Sequence, residues 1–364
     1  MEQHTNRIRS LLGSFTAAAL CAAAVVIVSG GSAAASSQGG QTNRGGRTSH
    51  TTRETSQGNH APATPPYALG VYSGPGDVAG TSAFASGTNR PVTYAMDFFA
   101  GTTWSTIEHP QSVLASWYGK GYSMVWGLPM LPNKGRATLA KGATGAYNQY
   151  FARVASAMVT AGQGSSIVRL GWEFNGIWFP WGAGGHAAQF VAYWRQIITT
   201  MRSVPGANFR FEWNPSRGDL GAGNLASFYP GNKYVDYVGL DVFDVEWQSY
   251  PGAKAEFAHI QTGPYGLNWL AAFSKQHKKP MVFPEWGLGW GQSHNGAAVT
   301  GSAAVGGGDN SVFISDMTRW FATHNVFEAT YWDFGSSSVA GARNHSVRLA
   351  FGTIASSTSR LAHQ

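Results

Sequence analysis

The chain has 364 residues, 43% of them hydrophobic, and a formal charge of +7, which suits one large domain or two small ones with a substantial core. Residues 1–66 hold five Arg and two Glu, leaving 20 of the 25 Lys+Arg and 16 of the 18 Asp+Glu for the rest. That mild balance, with Lys278-Lys279 as the longest basic run, excludes an electrostatic nucleic-acid footprint, and a lone cysteine, Cys21, excludes thiol catalysis and Cys-based metal sites.

Arg7 and Arg9 precede an apolar stretch from Leu11 to Val28, which Ser29-Gly30-Gly31-Ser32 interrupts before a small-residue site at Ala33-Ala34-Ala35. This order reads as a secretory signal peptide over residues 1–35, and hence a secreted, extracellular protein. The apolar run is long for a signal, so an uncleaved anchor holding the protein at the cell surface is the alternative. Leu20, directly before Cys21, argues against lipid attachment there. Between Val28 and Tyr67 there is no Leu, Ile, Val, Phe, Trp or Met. Such a segment buries too little apolar surface to offset its ordering entropy, so residues 36–66 are expected to be a disordered linker.

From Tyr67 onwards short apolar runs alternate with helical patterns. The expected strands are Ala68–Tyr72, Val92–Phe98, Ser123–Leu128, Ile167–Gly171, Phe209–Trp213, Tyr237–Val242, Pro280–Phe283 and Ala329–Trp332. Between them, helices are expected at Gly145–Ala161, Ala187–Arg202, Tyr265–His277 and Ser311–Thr323. Eight such units argue for an α/β fold, a single (β/α)8 TIM barrel over residues 67–364. An open doubly wound sheet would want a phosphate-binding turn after its first strand, and Pro75 spoils the glycines of Gly70–Gly76 for that purpose.

Several strands end in a polar residue: Asp97, Glu173, Asn214, Asp241, Glu285 and Asp333. Active-site groups of this fold collect at those ends. Asp97 and Asp333 read as caps or structural supports, whereas Glu is not a preferred N-cap. Glu173 and Glu285 therefore stand out as a facing carboxylate pair, one to stay protonated and one ionised. Alternation along the fourth strand puts Arg169 on the same face as Glu173 and so inside the barrel, where a guanidinium needs a partner; Asp97, Glu212 and Glu285 are the expected ones.

All 14 Trp lie at or after Trp104. Trp172, Trp178, Trp181, Trp286, Trp290 and Trp332 fall in or beside the expected strand-end loops, and with Asn175 and Asp241 they form the expected substrate-binding set, a flat indole being a natural platform for a sugar ring. No His-Glu-x-x-His pair is present, and His109, His294 and His324 read as surface or loop residues. No metal or other cofactor is expected. The expected partner is a polysaccharide or oligosaccharide, with no nucleic acid, no stable membrane partner unless the N-terminal segment is retained, and a monomeric state. Gly162-Gln163-Gly164-Ser165-Ser166 precedes a strand rather than following one, so it reads as a loop and not a serine nucleophile turn. A non-catalytic carbohydrate-binding barrel would keep the tryptophans without needing both Glu.

At Arg169, Glu173, Asn175-Gly176, Trp178-Phe179, Trp181-Gly182 and Glu285-Trp286-Gly287, the chain resembles glycoside hydrolase family 26. Gly306-Gly307-Gly308-Asp309-Asn310, before Phe313, also looks familial. The resemblance implies a (β/α)8 barrel and a retaining hydrolase of β-linked polysaccharide, most often β-1,4-mannan, with some β-glucanases and xylanases. It further implies that Glu173 is the acid/base and Glu285 the nucleophile. Trp172 stands where the family usually has a sugar-binding His, and Phe243 where it tends to carry a Tyr. Both changes leave the two Glu in place but loosen the link to mannan.

Overall fold

The computed structural model describes residues 66–246, 250–289, 309–339, 346 and 350–351. The expected signal peptide, the linker up to residue 65, Trp290 and His294 lie outside the described residues.

Among the described residues nine parallel strands are present: β1 (Ala68–Tyr72), β2 (Tyr94–Phe98), β3 (Ser123–Leu128), β4 (Ile167–Leu170), β5 (Arg210–Trp213), β6 (Tyr237–Gly239), β7 (Val242–Asp244), β8 (Met281–Leu288) and β9 (Val326–Trp332). Their order is β6-β5-β4-β3-β2-β1-β9-β8-β7, and a further pairing of β6 with β8 closes the ring. The result is an eight-stranded (β/α)8 barrel, as expected. The short β7 carries on from β6 and pairs with the upper half of β8.

Helices cover the outside because their apolar residues recur on one face. Helix Asn148–Thr160 buries Phe151, Val154, Ala155 and Met158, and helix Ala187–Arg202 buries Phe190, Tyr193, Trp194, Ile197, Ile198 and Met201. Both sets follow the i, i+3, i+4, i+7 spacing of an amphipathic helix. A second, smaller cluster of Tyr72, Met96, Val125, Ile167, Tyr237 and Val282 fills the barrel itself, with Tyr94, Phe98 and Trp332 packed against it.

Two irregularities depart from the sequence expectation and shape the mouth. The sixth expected strand breaks after Gly239, where the backbone of Asp241 turns aside to bridge Ser216 and bond Pro215. The seventh runs on to Leu288 instead of stopping at Phe283, and its register slips between Phe283 and Trp286. Pro284, which has no N–H to donate, sits in that slip. A bulge of this kind resets which side chains face inward.

The interior has little spare room. A Cβ added to Gly127 would lie 2.2 Å from a ring carbon of Phe98. Gly127→Ala is therefore expected to lower unfolding free energy by about 1–3 kcal/mol, the usual range for overpacking. Urea denaturation monitored by circular dichroism checks this, and a loss below a few tenths of a kcal/mol would mean that Phe98 yields freely.

Candidate active site

The site begins with Arg169 on β4. Its side chain is fully buried inside the barrel, and each guanidinium nitrogen is engaged. Nε donates to Asn214 Oδ1 at 2.6 Å, Nη1 to Glu285 Oε1 and Nη2 to Asp241 Oδ2. Glu212, the register neighbour of Arg169 on β5, lies 3.7 Å from Nε. Two of the three partners expected from sequence are thus present. Asp97 is not one of them: its carboxylate accepts from the backbone of Gly76 and Phe98 and from Trp117 Nε1, each at 2.7 Å. Burial still pushes Asp97 up to about 6, against those hydrogen bonds. Asp241 takes its place at Arg169.

Glu173 reaches the same mouth by a different route from the one alternation suggests. β4 ends at Leu170, and the chain then turns through two left-handed residues, Gly171 (φ 51°) and Glu173 (φ 50°). At Gly171 a Cβ would lie 2.2 Å from Met130 Sδ. Glu173 is an uncommon residue for that conformation, which costs about 1–3 kcal/mol and persists only where its surroundings hold it. Here the Glu173 N–H donates to Asn214 O at 2.8 Å, and its carbonyl accepts from Gly176 N–H at 2.9 Å. Trp178 Nε1 donates to Glu173 Oε2 at 2.7 Å.

The two carboxyl groups sit in unlike surroundings. Burial, followed by the nearby charge of Glu285, pushes Glu173 up to about 7 against the opposing pull of Arg169 and its hydrogen bonds. Glu285 is ion-paired with Arg169. Such a pair can offer a proton from one oxygen and a lone pair from another.

Of the expected sugar contacts, Trp178 and Trp332 are half-buried at the mouth. Trp332 packs on Tyr72, and Phe98, Phe243 and Phe334 complete that aromatic rim. Alternation along β2 could have flagged Phe98, two positions beyond the inward-facing Met96; Phe334 offered no such signal. Trp172 is almost covered, wedged against Phe98, Phe179 and Trp181, with the Arg169 guanidinium 5.3 Å from its ring centre.

Four other expected contacts are buried and engaged within the protein. Asp241 is buried as a partner of Arg169. Asn175 spends its amide on both backbone groups of Ser216, at 2.8 Å each. Trp181 is buried, stacked on Phe179 and donating to Trp172 O. Trp286 is fully buried outside the barrel against Phe313, Phe321, Tyr331 and Phe351, because the slip at Pro284 turns it away while Glu285 faces in. Asp333 supports the loop beyond β9 by accepting from Val339 N–H. Among the described residues no group of three or more His, Cys, Asp or Glu is arranged to hold a metal.

Residues 139–271 match the model of glycosyl hydrolase family 26. The resemblance read from the sequence is thereby borne out, with Arg169, Glu173 and Trp178 inside the matched stretch and Glu285 beyond it. Endoglucanase H of Acetivibrio thermocellus is 26% identical over 128 residues, which is 27% of this chain and 14% of that protein. Mannan endo-1,4-beta-mannosidase A and B of Caldalkalibacillus mannanilyticus is 27% identical over 152 residues, 35% of this chain and 28% of that protein. The chain thus spans well under two thirds of the curated relatives it matches. A GH26 beta-mannanase from Bacteroides ovatus shares the fold with a TM-score of 0.54 at 14% identity, over 80% of this chain and 89% of that one. GH26C from Muricauda sp. MAR_2010_75 does so with a TM-score of 0.56 at 15% identity, over 80% and 86%.

Removing the cation would strand the buried carboxylates of Asp241 and Glu285. Arg169→Met is expected to cost about 3–5 kcal/mol, the range for breaking a buried ion pair from one side. Guanidinium denaturation checks it; a cost under 1 kcal/mol would show that the carboxylates neutralise freely.

Proposed function

We propose that the chain is a retaining glycoside hydrolase that cleaves β-linked polysaccharide, with Glu173 as acid/base and Glu285 as nucleophile. The observation that carries this reading is the contrast between the two carboxyls: Glu173 is held up at about 7, and Glu285 is paired with a guanidinium across the same mouth. Glu285 attacks the anomeric carbon while Glu173 gives its proton to the departing glycosidic oxygen. A glycosyl ester to Glu285 forms and the aglycone leaves as an alcohol. Glu173, now a carboxylate, takes a proton from water; the water oxygen attacks the anomeric carbon and Glu285 is released. Trp178, bonded to Glu173, and the half-buried Trp332 would bracket the sugar.

β-1,4-Mannan is the proposed substrate, supported by the mannosidases among the relatives. The relative named endoglucanase keeps β-glucan as the second reading, and Trp172 and Phe243, apolar where the family carries polar side chains, favour keeping it open. The Arg7-to-Ala35 segment supports secretion, and we propose a monomer that needs no cofactor.

Reducing-end release from mannan, glucomannan, barley β-glucan, xylan and carboxymethylcellulose tests the substrate; release from none of them would overturn the hydrolase reading. Glu173→Ala and Glu285→Ala are each expected to lower hydrolysis by at least about 10²-fold, as removal of an acid/base or nucleophile does. Wild-type rates in both variants would overturn the assignment. Glu173 must be protonated to donate, so kcat/KM on a natural substrate is expected to fall as pH rises through about 7. A rate flat to about pH 9 would argue against this acid.

A further inference from the structure

Beneath the two proposed catalytic residues the barrel holds more acid than it has base to match. Among the described residues Arg169 is the cation there, while Glu212, Asp241, Glu285 and, lower down, Glu328 are carboxyls facing it from β5, the β6–β7 break, β8 and β9. Asp241 and Glu285 accept hydrogen bonds from the guanidinium, and Glu328 accepts one from Thr330. Glu212 is different. Its side chain is fully buried, neither carboxyl oxygen has a hydrogen-bond partner, and its nearest cation nitrogen is 3.7 Å away and already committed to Asn214. An isolated carboxylate in such a place is strongly disfavoured, and a second or third negative charge around one guanidinium more so. Binding a proton is the cheaper outcome.

We propose that Glu212 is a positioning residue held as a neutral acid, whose uncharged state leaves Arg169 committed to Glu285 and Asp241. This rests on the reading of Glu285 as nucleophile. Were Glu212 to ionise, its carboxylate would be a third claimant for the guanidinium, drawing Nε away from Asn214 and loosening the hold on Glu285. Arg169, Tyr237, Glu285 and Glu328, on β4, β6, β8 and β9, are the titratable groups facing it; Tyr237 feels both Glu212 and Glu328. Burial, opposed by Arg169 and reinforced by Glu285, raises Glu212 to about 8.

The test uses a β-mannoside with a dinitrophenolate leaving group, which departs without a proton from Glu173. With that substrate the alkaline limb of kcat/KM no longer reports the acid and reports the hold on Glu285 instead. Wild type is expected to lose about tenfold between about pH 7 and about pH 9, and Glu212→Gln less than about twofold, as follows for one group titrating near 8. Infrared difference spectra at neutral pH are expected to show a protonated-carboxyl stretch in wild type that Glu212→Gln lacks. An unchanged alkaline loss in the variant, or no such difference band, overturns the proposal. If the amide variant does not fold, Glu212→Met, of similar volume and no charge, replaces it in both measurements. Should the wild type turn over no β-glycoside, the functional reading falls, while the infrared band still decides whether Glu212 carries a proton.

Discussion

A guanidinium inside a closed barrel is the constraint from which the rest of this site follows. Arg169 cannot be solvated where it lies, so every donor it has must be met by protein. The partners come from three separate places: Asn214 after β5, Asp241 at the break in β6–β7, and Glu285 within β8. Two of these contacts require a particular irregularity. Asp241 reaches inward because its strand is interrupted, and Glu285 because β8 bulges at Pro284. The guanidinium thus ties together chain segments up to 116 residues apart and orients the carboxylate proposed as nucleophile.

The same geometry sorts the aromatic residues, of which only some serve the cleft. Trp181 and Trp286 are structural, one bracing the Trp172–Ala183 loop and the other packing a helix on the barrel wall. Trp178 and Trp332 keep partly open faces. Trp172 lies between the two groups: nearly covered, it contributes hydrocarbon and the face of an indole to Arg169 rather than a hydrogen-bonding ring to a sugar. The apolar Phe243, beside Trp332, reinforces that trend. The mouth around Glu173 is therefore more apolar than the family resemblance implies, and burial is the largest cause that lifts Glu173.

How much of this was legible beforehand varied with the kind of signal. Periodicity found helices Ala187–Arg202 and Ser311–Thr323 and strands Ala68–Tyr72 and Ser123–Leu128 with their observed bounds, because burial on one face leaves a regular imprint. It failed where the backbone departs from regularity. β4 stops before Glu173, so the parity argument reached the right side chain through the wrong geometry. The same failure made Trp286 look like a sugar platform. Asp97 looked like a partner for Arg169 because it ends a strand, yet it faces the helix that carries Trp117.

By itself the sequence determined the barrel, the buried arginine and the two glutamates, because each rests on local pattern: alternating strands and helices, a charge within an apolar run, a carboxylate after a strand. Only the tertiary structure decided which carboxylates share the guanidinium, which tryptophans face the cleft, and that Glu212 stands beneath it without a hydrogen-bond partner. Those outcomes depend on ring closure, on two left-handed residues and on one bulge. They bring together groups distant in sequence, and their charges compete only once they share a low-dielectric space.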